Sequence, residues 1–245
     1  MSKIRFSVLS YHPSFMTSES INIGILFEYK NVLYFEHIKD FKRLQAFDDE
    51  LNIDFAKLFL TGIKQEVETE PSLFDTTIYT IDSYVKDFIN EFKFCNINNF
   101  DCFDIKKTIE EIKKIYLRFE YTKDKRPGKN EQIDFFKRFL EHNGKIYSKN
   151  PIEGTHGEKN NYDFVIDHYG IKFFKIKNKN VNRMVSTAKS WAFTADEMHS
   201  KDIKTIFIYD DVDKHEIATN TLISILKKNA SVLTLDESLK FINEL

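Results

Sequence analysis

Apolar and polar residues alternate from Ile4 to Ser10, again from Ile21 to Tyr29, and again from Val32 to His37. A two-residue period is what a half-buried strand requires, so each segment is predicted to be a strand. Only Lys30-Asn31 separates the last two, which predicts a hairpin and gives the chain an antiparallel three-strand meander at its start. The period then lengthens. Phe41 to Phe47, Asp54 to Glu66 and Thr80 to Phe92 carry apolar residues three and four apart and are predicted helices. A fourth helix, Asp104 to Phe119, carries one apolar stripe of Ile105, Ile109, Ile112, Tyr116 and Phe119. The charged run Tyr121 to Lys129 contains Pro127-Gly128 and fits inside neither a helix nor a strand. It is read as the boundary between a domain over 1–122 and a second over 130–245.

Beyond the boundary the pattern predicts a helix from Glu131 to Asn143, a strand from Lys145 to Tyr147, and a polar loop through Gly154 and Gly157. Two strands rich in β-branched and aromatic residues follow, Tyr162 to Ile166 and Ile171 to Lys177, joined at His168-Tyr169-Gly170. Then come a long helix Val181 to His199, a strand Thr205 to Tyr209, a helix His215 to Asn229, a strand Ser231 to Leu235 and a last short helix. The expected fold class is therefore mixed: an N-terminal α+β domain built on an antiparallel sheet, and a C-terminal α/β sandwich.

Composition narrows the setting. At 245 residues, 42% apolar and 15% aromatic, the chain has ample material for a buried core. Its apolar runs are far shorter than the roughly 20 residues needed to cross a bilayer, and the start leads into a strand, so a cytoplasmic protein with no membrane association is expected. Cys95 and Cys102 are the only cysteines, and no His completes a zinc pattern near them. There is no Walker A loop, GxGxxG, HExxH or nucleophile-elbow serine, which disfavours nucleotide hydrolysis, dinucleotide binding, zinc proteolysis and serine hydrolysis. The net charge of −2 is unevenly spread: residues 1–100 carry 10 basic and 15 acidic side chains, residues 101–200 carry 20 and 15.

The candidate chemistry lies in that basic middle. Asp163 alternates with core apolar residues on the first strand of the later pair, and the second strand carries Lys175 and Lys177. In metal-dependent nucleases an acid two positions before such a lysine completes a pair of carboxylates around a divalent cation, while the lysine stabilises phosphate charge. Here Lys175 occupies the acid's place. Asp163 and Lys177 are the candidate catalytic pair, with Asp163 the metal ligand and Mg²⁺ or Mn²⁺ the cofactor, only if a carboxylate such as Glu153, Glu158 or Asp167 is supplied from elsewhere. Otherwise no cofactor is expected. Lys172, Lys175, Lys177, Lys179, Arg183 and Lys189 follow one another with no acid between Asp167 and Asp196 and form a candidate phosphate-facing stripe. Trp191 sits at the centre of the long helix, as a core anchor or a base-stacking platform. Asp210, Asp211 and Asp213 lack the glycine and distal glutamate of a calcium loop and read as a solvated turn.

Two resemblances bear on this. Phe6-Ser7-Val8-Leu9-Ser10-Tyr11-His12-Pro13, followed by Glu19, Asn22 and Gly24 before an apolar strand, resembles the bacterial family called domain of unknown function 3037, over about the first 70 residues. The second half, through Phe135-Phe136, Asn161 to Ile166, Lys189-Ser190-Trp191 and Ile206 to Asp210, is similar to domain of unknown function 1829. That domain resembles nuclease-like folds in layout, and the element order matches a restriction-endonuclease-like core. Together the resemblances imply a setting in phage defence, counter-defence or mobile-element conflict. Three readings stay open: an inactive nuclease-like domain that binds nucleic acid or a protein partner of a defence system, an active metal-dependent nuclease, and an acidic inhibitor or adaptor acting through its N-terminal domain. The sequence leaves the oligomeric state open.

Overall fold

The computed structural model describes residues 2–14, 19–69, 79–88, 90–122, 124–174, 181–209 and 217–245. The chain divides into two compact units, Met1–Pro127 and Gly128–Leu245. Among the described residues no helix is long and apolar enough to cross a membrane.

The first unit is organised by its opening strand, β1 (Ser2–Tyr11). On one edge β1 pairs antiparallel with β2 (Ile21–Tyr29), which pairs in turn with β3 (Val32–His37). The expected hairpin is there: Lys30 and Asn31 both adopt positive φ, 52° and 63°, the backbone that a tight two-residue connection demands. Helices α1 (Lys42–Phe47), α2 (Ile53–Glu68) and the single turn α3 (Ile81–Tyr84) follow. The Asn52 side chain starts α2 by accepting the Asp54 and Phe55 amides.

The predicted helix Thr80 to Phe92 is corrected here. It runs only to Asp87, and Phe92–Phe94 instead forms strand β4, with β5 (Asn98–Cys102) after it. Both pair with the second edge of β1, so the meander becomes a five-stranded sheet with β1 at its centre. Helix α4 (Ile105–Tyr116), started by Asp104, buries Thr108, Ile112, Ile115 and Tyr116. That face is rotated slightly from the predicted stripe, because Tyr116 turns its ring edge to Phe6 of β1, 5.5 Å between centroids.

Two of the motif residues, Asn22 and Gly24, acquire their reasons in this sheet. The β1 and β2 register slips between Leu9 and Ser10: Leu9 faces Gly24 and Ser10 faces Asn22, leaving Ile23 as the extra residue of a bulge. Asn22 accepts the Ser10 hydroxyl at 2.8 Å and donates to the Tyr116 carbonyl at 3.2 Å, tying the bulge to the end of α4. Gly24 leaves room for the buried Phe35 ring, which a Cβ there would meet at 2.6 Å.

The open edge of β3 is covered by side chains. The Phe35 amide donates to Glu68 and its carbonyl accepts from Lys64, both on α2. Glu36 of the same strand meets Lys113 at 2.7 Å and Lys64 at 3.6 Å.

The second unit opens with α5 (Lys129–His142), followed by the short pair β6 (Ile152–Glu153) and β7 (Lys159–Asn160). Its main sheet holds β8 (Phe164–Ile166), β9 (Tyr169–Phe174), β10 (Lys204–Tyr209) and β11 (Ser231–Thr234) in the order β11-β10-β9-β8. Helix α6 (Val181–His199) crosses from β9 to a parallel β10, and α7 (Ile217–Leu226) from β10 to a parallel β11. The last helix, α8 (Leu235–Glu244), carries a capping box in which Thr234 and Glu237 exchange hydrogen bonds. One sheet face sends Phe164 and Phe173 to Phe136 of α5, at 5.3 and 5.5 Å. The other sends Phe174, Phe207, Tyr209 and Val232 into a core with Met184, Ala188, Leu222 and Leu226 of α6 and α7. The strand expected over Lys145 to Tyr147 reduces to a single antiparallel bridge, Ser148 to Val165.

Two outcomes follow for the first unit. Gly24→Ala is expected to cost about 1–3 kcal/mol in a urea melt, because the buried Phe35 ring has to shift or the sheet must give. The second concerns acid. Burial, with Lys39 and Lys64 nearby, holds the His37 pKa below its ordinary value against the opposing bond to the Ile38 carbonyl. The unfolded chain therefore binds more protons than the folded one as pH falls through about 6.5, so this contribution is present above that pH and lost below it. Urea midpoints measured from pH 8 to pH 5 are expected to fall less for His37→Gln than for the wild type.

Candidate functional site

The β8–β9 hairpin turns on two residues, Asp167 and His168, with Ile166 facing Tyr169 and Asp167 at φ 50°. The turn lies one residue earlier than expected, and it fixes what stands opposite Asp163. The Asp163 amide donates to the Ile171 carbonyl at 2.9 Å, and its Oδ2 accepts the Phe173 amide at 2.8 Å. The side chain thus continues the ladder where β8 has no backbone to offer. Its Oδ1 lies 3.6 Å from Lys172 Nζ.

Lys172 is held from three sides. Beyond the carboxylate, Nζ donates to the Asn161 carbonyl at 2.7 Å and stands 5.1 Å from the centroid of the Trp191 ring. Its side chain is only 19% exposed, which marks it as part of the packed structure and not of a solvated lysine face. Trp191 packs edge-on to Tyr162 and Phe207, at 5.6 and 6.1 Å. The Tyr162 hydroxyl shares a buried 2.8 Å hydrogen bond with Thr205, and burial pushes its pKa up against that bond. Gly170 has its reason at this point, since a Cβ there would meet the Tyr162 ring at 2.7 Å.

The arrangement is a closed pair. Both Asp163 oxygens are engaged, Oδ2 by the Phe173 amide and Oδ1 in an ion pair with the Lys172 ammonium. The carboxylates considered as replacements are elsewhere. Glu153 lies in β6, Asp167 occupies the hairpin turn, and Glu158 accepts from the His156 amide and from Asn160. Among the described residues no group of three or more His, Cys, Asp or Glu side chains is placed to hold a metal ion.

Of the expected phosphate-facing stripe, Lys172 turns inward as described, while Arg183 and Lys189 are exposed on α6. Lys175, Lys177 and Lys179 lie outside the described residues, as do Asp210, Asp211 and Asp213. Trp191 is half-buried against the core that α6 and α7 share. In the first unit Glu19 is exposed, Asn22 and Gly24 serve the bulge, and Cys95 and Cys102 are thiols, not joined in a disulfide. Sequence reasoning missed Asn161, Tyr162 and Thr205 as partners of the site. The one signal available was Gly170, a glycine opening a strand of large residues.

The single tryptophan makes this cluster observable. Lys172→Met keeps the aliphatic packing but removes the cation from both Asp163 and the indole. It is expected to shift the Trp191 emission maximum and to cost about 1–3 kcal/mol in a urea melt, whereas Lys189→Met, on the exposed side of α6, is expected to change neither.

Residues 6–91 match the family model described as "Protein of unknown function (DUF3037)", a stretch that begins within β1, ends just before β4 and contains Asn22, Gly24, Glu28 and the Phe35 strand. No curated protein and no solved structure matches the chain.

Proposed function

We propose that residues 128–245 form a nuclease-like module that binds nucleic acid without cutting it, in the setting of conflict with mobile elements that the resemblances imply. The observation that carries the reading is the closed Asp163–Lys172 pair: Lys172 neutralises the one acid of the candidate metal site, and in the sequence it is Lys175 that stands where a second carboxylate would be needed. The order of helix, antiparallel hairpin, crossover helix and parallel strand supports the nuclease-like layout, as does the Ser148 to Val165 bridge at the outer edge of β8. Arg183 and Lys189, exposed on α6, supply cations for a phosphate backbone.

The test is fluorescence anisotropy with labelled single- and double-stranded DNA and RNA across a salt series, with gels of the same mixtures in Mg²⁺ and Mn²⁺. Salt-sensitive binding without cleavage is expected. The pair Arg183→Ala and Lys189→Ala is expected to lower affinity and to reduce the slope of log K against log salt by about 0.9 for each duplex phosphate that is no longer neutralised. Asp163→Ala should leave the gels unchanged. Metal-dependent cutting that Asp163→Ala abolishes would make the protein a nuclease instead, and absence of binding to all four probes would turn the search to a protein partner.

A further inference from the structure

Helix α2 has two apolar stripes, and the first unit covers one of them. Ala56, Leu60 and Ile63 are buried in the core. Beside them run Phe55, Leu58, Phe59 and Gly62, again three and four apart and so on one side of the helix. Phe55 is 53% exposed and Leu58 73%, although both are apolar. They are not isolated surface residues. Phe55 stacks on Phe59 at 6.0 Å, and Phe59 meets Phe92 of β4 at 4.5 Å and Phe88 at 6.1 Å. The exposed side chains are thus the outer edge of an aromatic layer, and a contiguous apolar surface of this kind marks an interaction site.

Gly62 is a second and independent observation. It lies in the interior of α2, where glycine is a poor helix former, and it is exposed. A Cβ added there would meet no other part of the chain within 4 Å, so packing inside the protein gives no reason for a glycine. A glycine on a helix surface lets another backbone or a large side chain approach closely.

The rim of the stripe is acidic. Tyr11 of β1 packs on Phe92 at 5.2 Å and donates its hydroxyl to Asp48. Burial and that bond push the Tyr11 pKa up, and Glu91 and Glu50 stand close enough to add to the rise. Glu50 and Glu91 are exposed. On the Phe88 side Glu66 accepts the Tyr84 hydroxyl at 2.7 Å. The cations nearby in the chain do not offset these acids: Lys57 is paired with Asp54 at 3.1 Å, Lys86 is followed by Asp87, and Lys93 alternates to the other face of β4 from Phe92. Such a rim repels a polynucleotide or an anionic membrane, and a symmetric contact with a second copy would set acid against acid. We infer that the outward stripe of α2 docks a basic amphipathic segment of a partner protein, whose apolar side chains cover Phe55, Leu58 and Gly62 while its lysines or arginines face Glu50 and Glu91. The surface stands on residues of the first unit alone and is independent of the nucleic-acid binding proposed for residues 128–245.

The test is a selection of phage-displayed random peptides of about 16 residues, roughly four helical turns, on the full-length protein, with full-length Leu58→Gln as the counter-target. Leu58 is largely exposed, so that variant is expected to keep its thermal melt. Peptides held by the wild type and not by the variant are expected to be rich in Lys and Arg, with apolar residues three and four apart. One of them, synthesised and labelled, is expected to bind about tenfold or more weakly to Leu58→Gln and to the double variant Glu50→Gln and Glu91→Gln. Gly62→Leu is expected to weaken it as much while raising the melting temperature, because leucine is the better helix former. Failure to select any peptide that distinguishes Leu58→Gln overturns the inference, as does selection of distinguishing peptides without basic character. Sedimentation showing a dimer that Leu58→Gln dissociates would make a second copy the occupant and overturn it too.

Discussion

A buried strand has to place every backbone N–H and C=O, and in the first unit one strand has that requirement on both edges along nearly its whole length. β1 is hydrogen-bonded to β2 on one side and to β4 and β5 on the other, with Ile4, Phe6, Val8 and Leu9 almost wholly buried. The other elements of that unit are consequences. The bulge opposite Ser10 lets Asn22 reach α4, Gly24 admits the Phe35 ring, and the outermost strand, β3, is closed off by Lys64 and Glu68 of α2. Arg5 on β1 binds Glu28 of β2 and Asp82 of α3, and the Glu28 carboxylate also accepts the Ile81 amide that opens α3. A nearly buried acid is thereby matched by a guanidinium and an amide, the condition under which a charge can sit inside a fold.

The second unit solves the same problem with an unequal strand pair. β9 has six residues and β8 only three, so part of β9 has no backbone partner on that edge. Asp163 supplies the missing acceptor for Phe173, and Lys129, from the start of α5, donates to the Phe173 carbonyl. The residue that looked most like a metal ligand is thus engaged in finishing a sheet, and Lys172 keeps its charge balanced against the face of Trp191. An ion pair in place of an acidic pair suits the binding module we propose, because among the described residues no set of metal ligands gathers at Asp163.

Charge in this protein is informative by type and not by sum. A net charge of −2 and an acidic first hundred residues do not show that three of the six arginines meet at Phe119. Some lysines pair along a helix, as Lys57 with Asp54 and Lys64 with Glu68 do, while Arg5 bridges β1, β2 and α3. The planar fork suits that role, because its face can stack on a ring while its in-plane N–H groups hydrogen-bond at the edge.

The sequence by itself determined the elements that local chemistry controls. The alternation of β1 to β3, the Lys30-Asn31 turn, the long helices α2, α4 and α6, and the helix, hairpin and crossover order of the second half all follow from periods and turn residues within a few positions of one another. It did not show β4 and β5. Phe92–Phe94 reads as the end of a helix, and Asn98–Cys102 is a poor strand by propensity, formed because β1 offers it a free edge from Ser2 to Phe6. Nor did it show which lysine meets Asp163: a turn one residue earlier sets the register so that Lys172 stands there, and a two-residue period makes such a step decisive. Likewise Arg43 lies far along the chain from Arg118 and Arg126, and no periodicity relates it to them. Hydrophobic pattern encodes which face of an element is buried, whereas which side chains meet across elements is decided only when those faces pack.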